Sequence, residues 1–234
     1  MRPSPRFVNR SVRSLLIGIA GVLVTASCSP PPGRAAAASV SPPRPAAATP
    51  PQGRPRIAAK HAAPAEEATR RQLERLLDQY DLSPWRFTDA VEVEADVIPH
   101  SHPVLTLSTR HVNDDLLLLS TYVHEQSHWY FQVHRAATRA AMAELEAQFP
   151  GLPVGFPDGA NDHDASYEHL CVNAFEYQAL RRLVGELTAR QVLEFWAGDH
   201  YRVIYRTVLD HDRDIRAVLK HHGLEPPRGA ADPA

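Results

Sequence analysis

The hydrophobic positions of this chain follow two regimes that meet near residue 65. Downstream, Leu73, Leu76, Leu77 and Tyr80 recur at helical spacing, which predicts a helix over residues 66–80, broken by Ser83-Pro84. Residues 87–98 alternate instead. Val91, Val93, Ala95 and Val97 stand against Glu92, Glu94 and Asp96, the period of a half-exposed strand. Residues 104–108, Val-Leu-Thr-Leu-Ser after Pro103, form a second short strand candidate. Asn113-Asp114-Asp115 then supplies N-cap chemistry and negative charge for a helix start. A long helical stretch follows over residues 115–148, with a break expected near His134, and residues 151–159 are a Pro/Gly-rich loop. Three more helices are predicted. One covers residues 165–184 and stops near Gly185. The next runs to about residue 197 from a capping box of Thr188 and Gln191. The last covers residues 199–222, with Gly223 as its stop. Helix, small sheet, then mostly helices is an α+β order, predominantly α. About 160 residues suffice for one core.

Upstream of residue 65 that periodicity is absent. Arg2, Arg6, Arg10 and Arg13 precede an apolar stretch over residues 15–26, too short to span a bilayer and suited to the apolar region of a signal peptide. Two processing routes fit residues 1–28. Val24-Thr25-Ala26 suits simple signal-peptide cleavage near Ser27. Thr25-Ala26-Ser27-Cys28 resembles a bacterial lipobox, which would lipidate Cys28 and give a membrane tether, although Thr25 stands where a lipobox usually has Leu. Residues 29–65 are rich in Pro and Ala and are expected to be a disordered, extended linker. The chemistry then falls to a domain over residues 66–225, with a flexible tail over 226–234. Expected localisation is export, as a periplasmic or outer-membrane lipoprotein or as a secreted protein.

Charge sharpens the boundary. None of the 27 acidic residues precedes Glu66, so the basic half is address and spacer and the acidic half is what folds. That disfavours a nucleic-acid partner held through phosphates. Two cysteines exclude a disulfide-rich scaffold and a four-Cys metal site, and Cys171, on a helix, reads as a small buried hydrophobe.

The informative chemistry is His124-Glu125-Gln126-Ser127-His128, a His-Glu-x-x-His run inside a strongly helical segment. Histidines four apart lie about 40° apart around a helix and one turn along it, so both imidazoles can meet one ion. Glu125 projects beside that ion, placed to take a proton from water rather than to bind the metal. With 13 histidines in the chain, random order would give about 0.04 such matches. The flanking residues, Leu116 to Leu119 and Tyr122-Val123, are apolar, so the polar trio would be costly to bury without partners.

A catalytic zinc site takes three protein ligands and leaves one position open. The third is sought on the helix that follows, where His169, Asn173 and Glu176 make one polar stripe at spacings of four and three. Glu176 is the leading candidate, with Glu168, His169 and His163 as alternatives. If Glu176 ligates, His169 orients ligands or stabilises an oxyanion and Asn173 hydrogen-bonds behind them. Asp162, His163 and Asp164 read as N-capping and solvated loop residues. Tyr201 and Tyr205 share a face of the last helix and are weighed as core packing against a role in polarising a substrate carbonyl. The adjacent pair His221-His222 is read as an adventitious metal binder.

At these residues the chain resembles the zincin metallopeptidases, and is most similar to the gluzincin type, in which the His-Glu-x-x-His helix is completed by a Glu from a later helix. The resemblance covers two helices and a strand. It implies His124, His128 and Glu176 as Zn2+ ligands, Glu125 as general base, and residues 104–108 as an edge strand that aligns the substrate. The Asn-Glu-x-x-x-Asp motif of the thermolysin type is missing around Glu176. The metzincin third histidine is missing too, since His134 comes six residues after His128 without the intervening Gly. The expected function is an exported zinc peptidase acting on a peptide or protein substrate. The alternative is a non-catalytic metal-binding or interaction lipoprotein on a zincin-like scaffold. Neither substrate preference nor oligomeric state is encoded legibly.

Overall fold

A computed structural model of the protein describes residues 53–226. The signal, the lipobox at Cys28, most of the linker and nearly all of the tail lie outside the described residues. Within them, three strands and six helices follow in the order β1 (Arg56–Ala59), α1 (Pro64–Gln79), β2 (Ala90–Glu94), β3 (Leu105–Ser108), α2 (Asp115–Val133), α3 (Arg135–Gln148), α4 (His163–Val184), α5 (Glu186–Asp199) and α6 (Arg202–His221). The class is α+β, predominantly α, with a small sheet ahead of the His-Glu-x-x-His helix. No helix among the described residues is long and apolar enough to cross a membrane.

The sheet corrects one expectation. Residues 56–59, within the linker expected to be disordered, form β1, parallel to β2 with Arg56 opposite Ala90 and Ala59 opposite Val93. The alternation rule misses this strand because it is four residues long and half exposed at the sheet edge. β2 follows the alternation, with Val91 and Val93 buried and Glu92 and Glu94 facing Lys60. β3 lies parallel to β2 and is buried throughout. Its outer edge is engaged at Thr106, which exchanges both backbone hydrogen bonds with His100 (3.0 and 2.8 Å).

Glu66 ties α1 to this sheet. Its buried carboxylate accepts from the backbone N–H groups of His61 (2.8 Å), Ala63 (3.2 Å) and Ala95 (3.1 Å), and contacts His61 Nδ1 at 3.0 Å. Loss of water pushes its pKa up. The hydrogen bonds outweigh that and hold it at about 2.

The helices carry the core. α2 packs on α4, and α4 on α5 and α6. Asp114 caps α2 through Leu117 N–H (3.0 Å), and Asp162 caps α4 through Ala165 N–H (2.8 Å), the role expected for it. The break between α2 and α3 falls at His134 as expected. α5 begins at Glu186, ahead of the capping box expected at Thr188. Gly185, at φ +83°, turns the chain there and accepts Ala189 N–H, so the box lies inside the helix. Phe175 of α4 sits in an aromatic cluster with Trp85, Tyr130 and Phe131, at ring-centroid distances of 5.2, 4.6 and 5.3 Å. Cys171 is buried and unpaired, as expected. α4 is buried on nearly every face, so the polar groups it carries must be satisfied by its neighbours.

Candidate metal centre

The polar stripes of α2 and α4 face each other. His124 and His128, one turn apart on α2, meet His169 of α4 with ring centroids 5.1, 5.6 and 5.0 Å apart. One ring nitrogen from each lies within 4.8 Å of the others. The hydrogen bonds decide which nitrogen that is. His169 Nδ1 donates to the Ala165 carbonyl at 2.7 Å, His124 Nδ1 to Glu176 Oε2 at 3.0 Å, and His128 Nδ1 to Glu168 Oε1 at 3.2 Å. All three Nδ1 atoms are spoken for by acceptors, so the three Nε2 lone pairs are left to converge. Burial holds His124 and His169 well below the ordinary histidine range, hence neutral, which is the form that ligates. Three imidazoles, each with its Nδ1 hydrogen-bonded to an acceptor, fit a divalent transition metal such as Zn2+.

Glu176 is therefore not beside the imidazole nitrogens that converge. It stands behind His124, and His169 occupies the position expected for it. The two residues are seven apart on α4, roughly 10 Å along the axis, and they meet the α2 histidines differently: His169 packs against both rings, whereas Glu176 reaches Nδ1 of His124. The packing of α4 against α2 brings the N-terminal part of the stripe to the histidines. Glu176 is fully buried and accepts from Ser120 Oγ, from Tyr205 O–H (3.0 Å) and from His124. Burial raises its pKa to about 7, while the Ser120 and Tyr205 hydroxyls pull the other way. Trp196 Nε1–H donates to Ser120 Oγ (2.8 Å), which turns the Ser120 proton onto Glu176. Glu168, weighed as an alternative ligand, braces His128, and that hydrogen bond lowers its pKa. His163 faces Glu146 (3.1 Å) and Asp164 (3.3 Å) on the exposed side of α4. Asn173 is buried with neither side-chain amide atom partnered among the described residues, which departs from the hydrogen-bonding role expected of it.

Glu125 differs from every other carboxylate here. It is buried, and no group among the described residues donates a hydrogen bond to it. Burial raises its pKa to about 7, with the charges of His128 and His100 lowering it and that of Glu176 raising it. A carboxylate poised near neutrality beside three imidazoles can both take and return a proton.

Tyr201 closes the remaining side. Its ring lies 4.2 Å from that of His169, and burial and the Glu125 charge raise its pKa. Tyr201 adopts a left-handed backbone (φ +46°, ψ +38°) just ahead of α6. What holds it there is the 151–162 loop. The Pro157 and Asp158 carbonyls accept the first amide N–H groups of α6, from Arg202 (3.0 Å) and Val203 (3.1 Å). Next to it, His200 Nδ1 contacts Asp199 at 2.8 Å, and Asp199 is clamped by both Arg110 guanidinium nitrogens.

Sequence reasoning missed the roles of Ser120, Trp196 and the Arg110–Asp199–His200 chain. Ser120 had a signal, because it lies four residues before His124 and extends the same stripe. Arg110 and Trp196 had none, since nothing local links them to α2. No protein-family model, curated protein or solved structure matches the chain.

Proposed function

We propose that this protein is a zinc-dependent peptidase in which His124, His128 and His169 hold the metal and Glu125 is the general base. The single observation that carries the reading is the trio itself. Three imidazoles have every Nδ1 occupied and one free nitrogen each converging, and a buried glutamate follows His124 on α2 and feels the charge of His128. Zinc held there supplies Lewis acidity and lowers the pKa of a water. Glu125 takes the proton of the attacking water and returns it to the leaving amine. Tyr201 donates its phenolic hydrogen to the oxygen on which negative charge develops. Glu176 and Glu168 fix the orientation of His124 and His128 and raise their basicity. Export, with lipidation of Cys28 or simple cleavage, belongs to the same proposal and supplies the setting for a protein or peptide substrate.

The test uses the full chain, with zinc measured by elemental analysis and activity by cleavage of a peptide library. The His124→Ala/His128→Ala variant is expected to lose one zinc per chain. Glu125→Gln is expected to keep that zinc and lose 10²- to 10⁴-fold in kcat/KM. Unchanged zinc in the double histidine variant overturns the metal centre. Cleavage by Glu125→Gln at the wild-type rate overturns the catalytic role.

A further inference from the structure

A second set of metal-ligating side chains lies at the other end of α6 and has no part in the chemistry above. Glu144 of α3 meets His221 and His222, where α6 ends. Glu144 Oε2 accepts from His221 Nδ1 at 3.1 Å and from His222 Nε2 at 2.8 Å. The three donor atoms lie within 4.8 Å of one another. α6 spans 20 residues and is kinked at His211, and this cluster lies at its C-terminal end while Tyr201 stands at its start.

We propose that Glu144, His221 and His222 form a second Zn2+ site, open to water, that staples the C-terminal end of α6 to α3. Three features support it. First, the donors come from two separate elements, and an imidazole–imidazole–carboxylate set suits zinc. Second, the two distances to the Glu144 carboxylate oxygen are near those of a loaded site. Two ligands bound tetrahedrally at about 2.05 Å stand about 3.3 Å apart, so the observed 3.1 and 2.8 Å contacts need to open by only a few tenths of an ångström. Adjacent histidines at a helix end diverge, and they reach one point here because His221 presents its near nitrogen and His222 its far one. Gln148 Nε2 contacts Glu144 Oε1 (3.4 Å) and leaves Oε2 to the histidines. Third, the helix end itself favours a cation, since the last carbonyls of α6 carry partial negative charge.

His221 is exposed and His222 largely covered, so an ion has access from solvent and one ligand is already immobilised. Loading replaces the two histidine–carboxylate hydrogen bonds with bonds to the metal. His221 moves its hydrogen from Nδ1 to Nε2, His222 moves its own from Nε2 to Nδ1, and the freed lone pairs bind the metal. Water completes the coordination.

Zinc content and zinc-induced thermal stabilisation of the full chain test the site. His221→Ala/His222→Ala is expected to hold one zinc fewer per chain than wild type. In a His124→Ala/His128→Ala background, micromolar zinc should raise Tm, and adding Glu144→Gln and His222→Gln should abolish the rise. Equal zinc content in wild type and His221→Ala/His222→Ala, or a Tm rise that survives Glu144→Gln/His222→Gln, overturns the proposal. The comparison is between variants at the far end of α6, so it reads separately from failure of the His124 centre.

Discussion

Glu125, Glu168 and Glu176 are the same residue type within one small volume, and their surroundings separate them. Glu168 and Glu176 spend an oxygen on an Nδ1 atom and so act through a histidine. Glu125 has no such partner among the described residues, which leaves its carboxylate open for the base role proposed above. The assignment separates by measurement. His169→Ala should abolish zinc binding at the His124 centre, whereas Glu176→Ala should weaken it 10- to 100-fold, read by competition with a chelating dye. The reverse order would restore Glu176 as the ligand. Tyr201→Phe removes one hydroxyl and no packing volume. It should lower kcat about 10²- to 10³-fold with zinc content unchanged, read by steady-state kinetics. An unchanged kcat would return Tyr201 to core packing.

At the scale of elements, the helices position the site and the loops fasten the helices. The 151–162 loop is the clearest case. A Cβ at Gly159 would sit 1.8 Å from the Pro153 carbonyl oxygen, which is backbone and cannot swing away. That carbonyl already accepts Ser166 Oγ–H at the start of α4 (2.8 Å), and the same loop accepts the first amides of α6. Gly159→Ala should therefore cost about 1–3 kcal/mol of stability in denaturant unfolding, as overpacking of a fixed backbone does. The start of α1 has its own signature. Glu66 is held at about 2 against an ordinary 4.5, so its contribution to stability is fully present above about 4.5 and is lost as pH falls through about 2. Thermal melts should show Glu66→Gln less stable than wild type at pH 7, with the gap closing toward pH 2. A gap of constant size would mean that the hydrogen bonds to the carboxylate do not set its pKa.

At the scale of the molecule, one core serves both the fold and the chemistry. Phe175 lies on α4 between the residues that brace the histidines and the aromatic cluster with Trp85, Tyr130 and Phe131. Phe175→Ala should cost about 3–5 kcal/mol and loosen the site with the core, read by unfolding and by zinc retention together. The N-terminal proposal is tested on the intact chain in cells. Cys28→Ala should move the protein from the membrane to the soluble fraction if Cys28 is lipidated, and should leave its distribution unchanged if cleavage occurs near Ser27.

Periodicity, caps and breakers are local, and they were legible without coordinates. The half-buried β2, the caps at Asp114 and Asp162, the break at His134 and the helical pairing of His124 with His128 all follow from spacing and side-chain type. β1 escaped because a short edge strand takes its identity from the strand it pairs with. The third member of the trio escaped for a related reason. Spacing along α4 puts His169 and Glu176 on one stripe two turns apart, and either could serve. The choice depends on how far α4 is slid along α2, a displacement set by packing such as that of Phe175 against Tyr130 and Phe131 across the interface. The sequence alone determined the motif, its helix and the set of candidates. Only the tertiary structure decided which candidate meets the histidines and which stands behind them, because register between two helices is a property of their contact and of neither helix by itself.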